Sequence, residues 1–288
     1  MISLNSCQRL DSNLYNLSDK ITEYKLDQYT GEQDFILDAS YDIPDSLIHL
    51  FTLPSQAPGE SSPTTIYALY IGDISKIATD TVIMYCHGNK WHMDFYWQRA
   101  KLMAHTGGKN HYGVLMIDYR GFGLSEGEPT EDGLYADVDA GLNWLKTQGL
   151  TNDRLMIYGF SMGSAPATEL SAHPRSMRPS RLILEAPFAS AAVMVADGTQ
   201  LSMPASYFTN LKIDNAEEIK LVSQPFMWLH GTNDLFLNYQ THGQVVYDNY
   251  NGTYSEYQLA ENADHGQVPE YLGFTTYLTT LHNFITHP

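Results

Sequence analysis

Two cysteines in 288 residues cannot build a disulfide framework, and neither sits in a zinc-type spacing. Cys86 lies inside the apolar run TVIMYCHG, which marks it as a core thiol. Positive charge is also scarce. Sixteen Lys and Arg stand against 33 Asp and Glu, a formal net charge of -17. Such a surface repels phosphate backbones and anionic headgroups, so no nucleic-acid partner is expected. No apolar run reaches the roughly 18–20 residues of a membrane span. Internal repeats and low-complexity tracts are lacking. The glycines of RGFGLSEG do not follow a dinucleotide-binding pattern, and there is no phosphate-binding loop. His92, His105 and His111 share no ligand spacing with carboxylates, so neither metal nor cofactor is expected.

What the chain has is apolar content, 43%, enough to bury a sizeable core. Residues 1–35 are polar and without sustained periodicity, and read as an N-terminal extension carrying at most a short helix. Residues 36–288 read as one α/β domain. SLIHLFTLP and TTIYALYIG are β-rich runs separated by the loop QAPGESSP. From TVIMYCHG onward strands and helices alternate. The strands are GVLMIDYRG, RLMIYGF, RLILEAPF, PFMWLHG and TYSEYQLA. The helices are HMDFYWQRAKLMAH, DGLYADVDAGLNWLKTQG, MGSAPATELSAH, LNYQTHGQVVYDNY and PEYLGFTTYLTTLHNFIT. In the second helix Leu134, Val138, Leu142 and Leu145 recur at helical spacing. This series predicts a mostly parallel sheet covered by helices on both faces.

The N-terminus adds one further expectation. Leu4-Asn5-Ser6 before Cys7 is like the end of a bacterial lipoprotein signal, although no apolar segment precedes it in MISLNSCQ. Two readings therefore stand side by side. One is an ordinary polar tail on a cytoplasmic protein. The other is a lipid anchor at Cys7 holding the protein at a bacterial envelope.

Chemistry concentrates around YGFSMGS. Ser161 lies where an apolar strand meets a helix, with Gly159 and Gly163 two residues to either side. A turn this tight crowds those two positions, and glycine relieves the crowding while the serine projects beyond the sheet. The inert alternative is a loop serine between two convenient glycines. A serine nucleophile needs a base, and the base needs an orienting acid. Asp234 follows the strand PFMWLHG and His265 follows the strand TYSEYQLA, acid before histidine, as this type of elbow requires. Asp264 is a rival acid, but it adjoins the histidine and is badly placed to support it from behind. An oxyanion would take one N–H from Met162 and a second from the loop His87-Gly88-Asn89-Lys90, with Asn89 the first choice and Lys90 the second. Pro166 sits near the start of the helix, where a missing N–H costs little. His87 and His230 each end a strand before glycine and read as structural. Arg120 reads as a tie between loops.

Together the segments CHGNK, DYRGFGLSEGEPTEDGLYADVDAGLNWL, YGFSMGSAPA, LHGTND and ADHG resemble the α/β-hydrolase superfamily, in particular its Bem46-like serine hydrolases. They span roughly residues 80–266. The resemblance implies an α/β-hydrolase fold with a small lid insertion and acyl transfer to water through Ser161, His265 and Asp234. It also implies relatives that remove palmitoyl groups or hydrolyse lysolipids. The chain departs from that branch at Lys90 and Trp91, where a small residue is usual, and the first 60 residues take no part in the match.

Specificity is expected in residues 189–220, long enough for a small lid but not for a cap domain. Met194, Met203, Tyr207 and Phe208 are candidates to line a substrate pocket, with Lys90, Trp91 and Phe95 opposite. For each the alternative is ordinary core packing. A small lid suits a carboxylesterase of short-chain, small-molecule esters. Thioesters or lysolipids are the next choice, proline-selective peptides a weaker one, and a non-catalytic binding protein of the same fold the alternative from another class.

Overall fold

The computed structural model describes residue 15 and residues 21–194 and 211–288. Among these, eight strands form one sheet: β1 (Ile48–Ser55), β2 (Thr64–Ile71), β3 (Val82–Cys86), β4 (Gly113–Asp118), β5 (Leu155–Phe160), β6 (Arg181–Glu185), β7 (Phe226–Gly231) and β8 (Ser255–Ala260). Their spatial order is β1-β2-β4-β3-β5-β6-β7-β8. The pairs β1–β2 and β2–β4 are antiparallel, and the pairs β4–β3, β3–β5, β5–β6, β6–β7 and β7–β8 are parallel. Pro54 falls on β1, the edge strand, where a missing N–H interrupts no inner ladder.

The inner strands are continuous apolar runs because both faces of the sheet are covered. Along β3, Val82, Met84 and Cys86 enter one core, and Ile83 and Tyr85 enter the other. The first core packs against α2 (Glu131–Thr147), α3 (Ser164–Ala172) and α5 (Gly243–Asn249); the short α4 (Asn215–Glu218) borders it. The second packs against α1 (Met93–Ala104) and α7 (Phe274–Thr286), with α6 (Val268–Leu272) leading into α7. The stripe Leu134, Val138, Leu142 and Leu145 is fully buried, and Thr130 caps α2 by accepting from the Gly133 N–H. Burying each such side chain contributes about 1.5–3 kcal/mol. Cys86 is buried, and desolvation pushes its thiol far above the usual range.

Two helices are shorter than their periodicity suggests. LNYQTHGQVVYDNY becomes helical only at Gly243. Before it, the Asn238 carboxamide accepts from the Gln240 N–H and the Asn238 carbonyl from Thr241 and His242, closing a separate turn. PEYLGFTTYLTTLHNFIT divides at Gly273, whose φ of 78° ends α6 and opens α7.

The polar stretch read as an extension does not stand apart where it is described. α1 carries Asp94, Gln98, Arg99 and Lys101, all buried. Each is covered by the N-terminal segment. Asp94 accepts from the Lys25 and Leu26 amides and Gln98 from Leu37 N–H, while Arg99 pairs with Asp34 and Lys101 with Asp27. Phe35 and Leu37 enter the second core. Polar side chains pairing across this distance leave no periodic trace in the sequence. Cys7 lies outside the described residues.

Candidate active site

Ser161 begins a 3₁₀ turn between β5 and α3, and its φ is 52°. A left-handed non-glycine residue is strained and persists where its surroundings over-determine it. Here the determinants are close approaches. A Cβ on Gly159 would lie 2.6 Å from the Gly163 carbonyl oxygen and 2.8 Å from Ala167. One on Gly163 would lie 2.0 Å from the Cys86 oxygen and 2.7 Å from that of His87. The elbow is thus wedged against the C-terminal end of β3.

The three elements expected from the sequence meet there. The Ser161 hydroxyl donates to His265 Nε2 at 2.8 Å, and His265 Nδ1 donates to Asp234 Oδ2 at 2.7 Å. The carboxylate requires the proton on Nδ1, which leaves Nε2 free to accept. Asp234 is held on both oxygens. Oδ1 accepts from the Phe236 and Leu237 amides at 2.9 and 2.7 Å. Oδ2 also faces His230 Nε2 at 3.2 Å. Burial alone would raise this carboxyl, but hydrogen bonds from His230, His265 and the backbone outweigh it and hold Asp234 well below the usual carboxylate range.

His230 is more than structural filler. Trp228 Nε1 can only donate, and it donates to His230 Nδ1 at 3.1 Å. The ring proton is therefore on Nε2, aimed at the Leu237 carbonyl (2.9 Å) and Asp234. Asp264, the rival acid, accepts from the His265 and Leu235 amides and ties the two loops together. His87 is buried against Asp118 at 3.2 Å. Arg120 joins Asp137, Glu60 and Ser55, linking α2 to β1 and the β1–β2 loop.

A cleft of about 450 Å³ opens over Ser161 and His265. Asn89, Lys90 and Phe95 line it, together with Glu32, Asp34, Tyr96, Phe160, Phe236, Asp264 and Gly266. The Lys90 amide is donated to the Tyr96 hydroxyl at 3.0 Å and is thereby engaged within the fold, and Asn89 lines the cleft beside it. The Lys90 ammonium reaches Glu32 and lies over the Trp91 and Phe95 rings. Two pocket expectations are corrected. Trp91 packs its ring beside Phe95, outside the lining of this cleft. Met194 packs on the first core, where apolar contact is available, and does not line the cleft. Met203, Tyr207 and Phe208 lie outside the described residues. Phe160 and Phe236 had a usable signal, each standing within two residues of a triad member. Glu32 and Asp34 had none.

Comparison with known proteins agrees with this architecture. The family model described as serine aminopeptidase, S33, matches residues 78–224. Alpha/beta hydrolase domain-containing protein 17B of Xenopus tropicalis is 28% identical over 205 residues, 71% of this chain and 66% of that protein. The human protein 17C is 27% identical over 206 residues, 71% of this chain and 58% of its own length. The matched segment thus spans less than two thirds of these relatives. Among solved structures, the Pyrococcus furiosus esterase Pf2001 superposes with a TM-score of 0.67 at 14% identity, covering 94% of this chain and 96% of that one. An alpha-beta hydrolase from Vibrio vulnificus gives 0.63 at 20% identity, covering 83% and 82%. At such identities the superpositions show the fold alone. The chain belongs to the α/β-hydrolase superfamily, within the family described as serine aminopeptidase, S33.

Proposed function

We propose that the protein is a serine hydrolase that cleaves carboxylic esters through an acyl-enzyme intermediate. The observation that carries this reading is the continuous chain from Ser161 through His265 to Asp234 on a strained elbow facing an open cleft. His265 Nε2 takes the Ser161 proton as the oxygen attacks the carbonyl carbon. The amides of Met162 and Asn89 hold the oxyanion. His265 then protonates the leaving alcohol and activates water to release the acid, while Asp234 keeps the ring in its working tautomer. Losing one oxyanion donor costs roughly 10²–10³ in turnover.

A cleft of about 450 Å³ is modest, which favours short acyl groups. A second reading rests on one feature. Leu235 and Phe236 are 82% and 63% exposed beside the triad acid, and Phe236 lines the cleft. An apolar rim of this kind suits the longer chain of a lipid-derived ester or thioester.

A fluorophosphonate probe tests the reading. It is expected to attach to Ser161 and to leave Ser161→Ala unmodified. Folded wild-type protein that takes up no probe is a binding protein instead. Turnover of p-nitrophenyl esters from acetate to palmitate then separates the two substrate classes, peak activity at long chains removing the short-chain reading.

A further inference from the structure

Three segments distant in sequence converge on one guanidinium. Arg99, on α1, is 3% exposed. Its Nη1 donates to Glu185 Oε1 at 2.7 Å, its Nε to Asp34 Oδ2 at 2.9 Å and its Nη2 to the Gly266 carbonyl at 2.5 Å. Gly266 directly follows the histidine of the triad. The guanidinium carbon also lies 4.1 Å from the centroid of the Phe160 ring, and Phe160 directly precedes the serine. That ring in turn packs against the His265 imidazole, at 5.3 Å between centroids. Glu185, at the end of β6, is fully buried and accepts from Tyr158 and Tyr277 as well.

Charge held this deep is expensive, and an apolar side chain of similar volume would often be neutral or stabilising in its place. A planar fork that donates in three directions has a geometric use that an apolar residue lacks. Resting on the reading of Ser161 and His265 above, we infer that Arg99 is a positioning residue for the reaction. It fixes the loop carrying His265 relative to the strand end carrying Ser161, using Glu185 as its base and Asp34 of the N-terminal segment as its third arm. The serine–histidine contact of 2.8 Å depends on that spacing, because the two residues belong to separate loops. Misplacing reacting groups by about 1 Å can cost roughly a hundredfold. The N-terminal segment is on this account a working wall of the site, since Asp34 contributes to the cleft lining and to the Arg99 clamp together.

The test compares wild type, Ser161→Ala, Arg99→Met and Arg99→Lys in the full chain. Circular dichroism and thermal melting establish folding, the rate of fluorophosphonate attachment reports the serine–histidine geometry, and p-nitrophenyl acetate gives kcat and KM. Lysine keeps the charge facing Glu185 and Asp34, but its three N–H groups radiate from one nitrogen and do not reproduce the spread by which Nε, Nη1 and Nη2 reach three separate acceptors. The expected result is folded protein with KM changed less than about threefold, attachment and kcat slowed about 10- to 100-fold in Arg99→Met, and an intermediate loss in Arg99→Lys. Wild-type attachment rates in either folded variant overturn the inference. So does failure of both variants to fold, which would make Arg99 a folding residue only. Absence of attachment in the wild type removes the reading of Ser161 itself and is distinguished from these outcomes by the Ser161→Ala control.

Discussion

His230 and His265 converge on a single oxygen of Asp234, at 3.2 and 2.7 Å. One imidazole comes from the end of β7 and the other from the loop after β8. Because Trp228 fixes the proton of the first on Nε2, the carboxylate is restrained from behind as well as from in front.

Replacing His230 by Phe keeps the ring and removes that restraint. The expected outcome is a fall in kcat of about tenfold with KM little changed, since the contact orients the base rather than the substrate. The Trp228 N–H and the Leu237 carbonyl lose their partner, which costs about 1–3 kcal/mol of stability. His230→Gln, which can still donate, is expected to recover part of the loss. Unaltered kcat in folded His230→Phe would show that the backbone amides alone hold Asp234.

Gly163→Ala places a methyl against the backbone of Cys86 and His87. Backbone cannot yield as a side chain does, so the expected cost is about 3 kcal/mol or more, read from urea unfolding. The displaced strand end leads to Gly88 and Asn89, so probe attachment should slow as well. A melting curve and attachment rate matching wild type would mean that the elbow is looser than its contacts imply.

Asp234 also sets an acid dependence. Its folded-state pKa lies below the ordinary 3.8, so ionisation stabilises the fold fully above that value and the contribution fades as pH falls through the depressed folded value. Asp234→Asn removes it. The stability gap between wild type and variant should therefore hold level at about 1–3 kcal/mol above about pH 5, and close in strong acid. A gap independent of pH would contradict the ionised state. Activity of the variant should drop on the order of 10⁴, because an amide favours the wrong tautomer of His265.

Phe236 packs nearly perpendicular to the His265 ring, at 5.2 Å between centroids, while remaining largely exposed. Phe236→Ala should leave stability within about 0.5 kcal/mol. If the rim guides acyl chains, KM should rise about fivefold for octanoate esters and little for acetate, the equivalent of about 1 kcal/mol. Equal effects on both esters would confine Phe236 to packing on His265.

Much of this was legible without coordinates. The alternation of apolar runs and amphipathic stretches determines a parallel sheet covered on both faces, because a strand such as VIMYC must bury every residue. Local spacing also determines the elbow. Only glycine fits at 159 and 163, and strand ends at 231 and 260 deliver Asp234 and His265 to the same edge. These features repeat at short range, through backbone sterics and side-chain periodicity, so a linear reading captures them. Tertiary structure decided the rest. The engagement of the Lys90 amide turned on the Tyr96 hydroxyl, the support of Asp234 on Trp228 and His230, and the wall of the cleft on Glu32 and Asp34. Arg99 gathers partners 65, 86 and 167 positions away. Contacts of that kind are set by where packed elements bring unlike segments together, and no period along the chain encodes them.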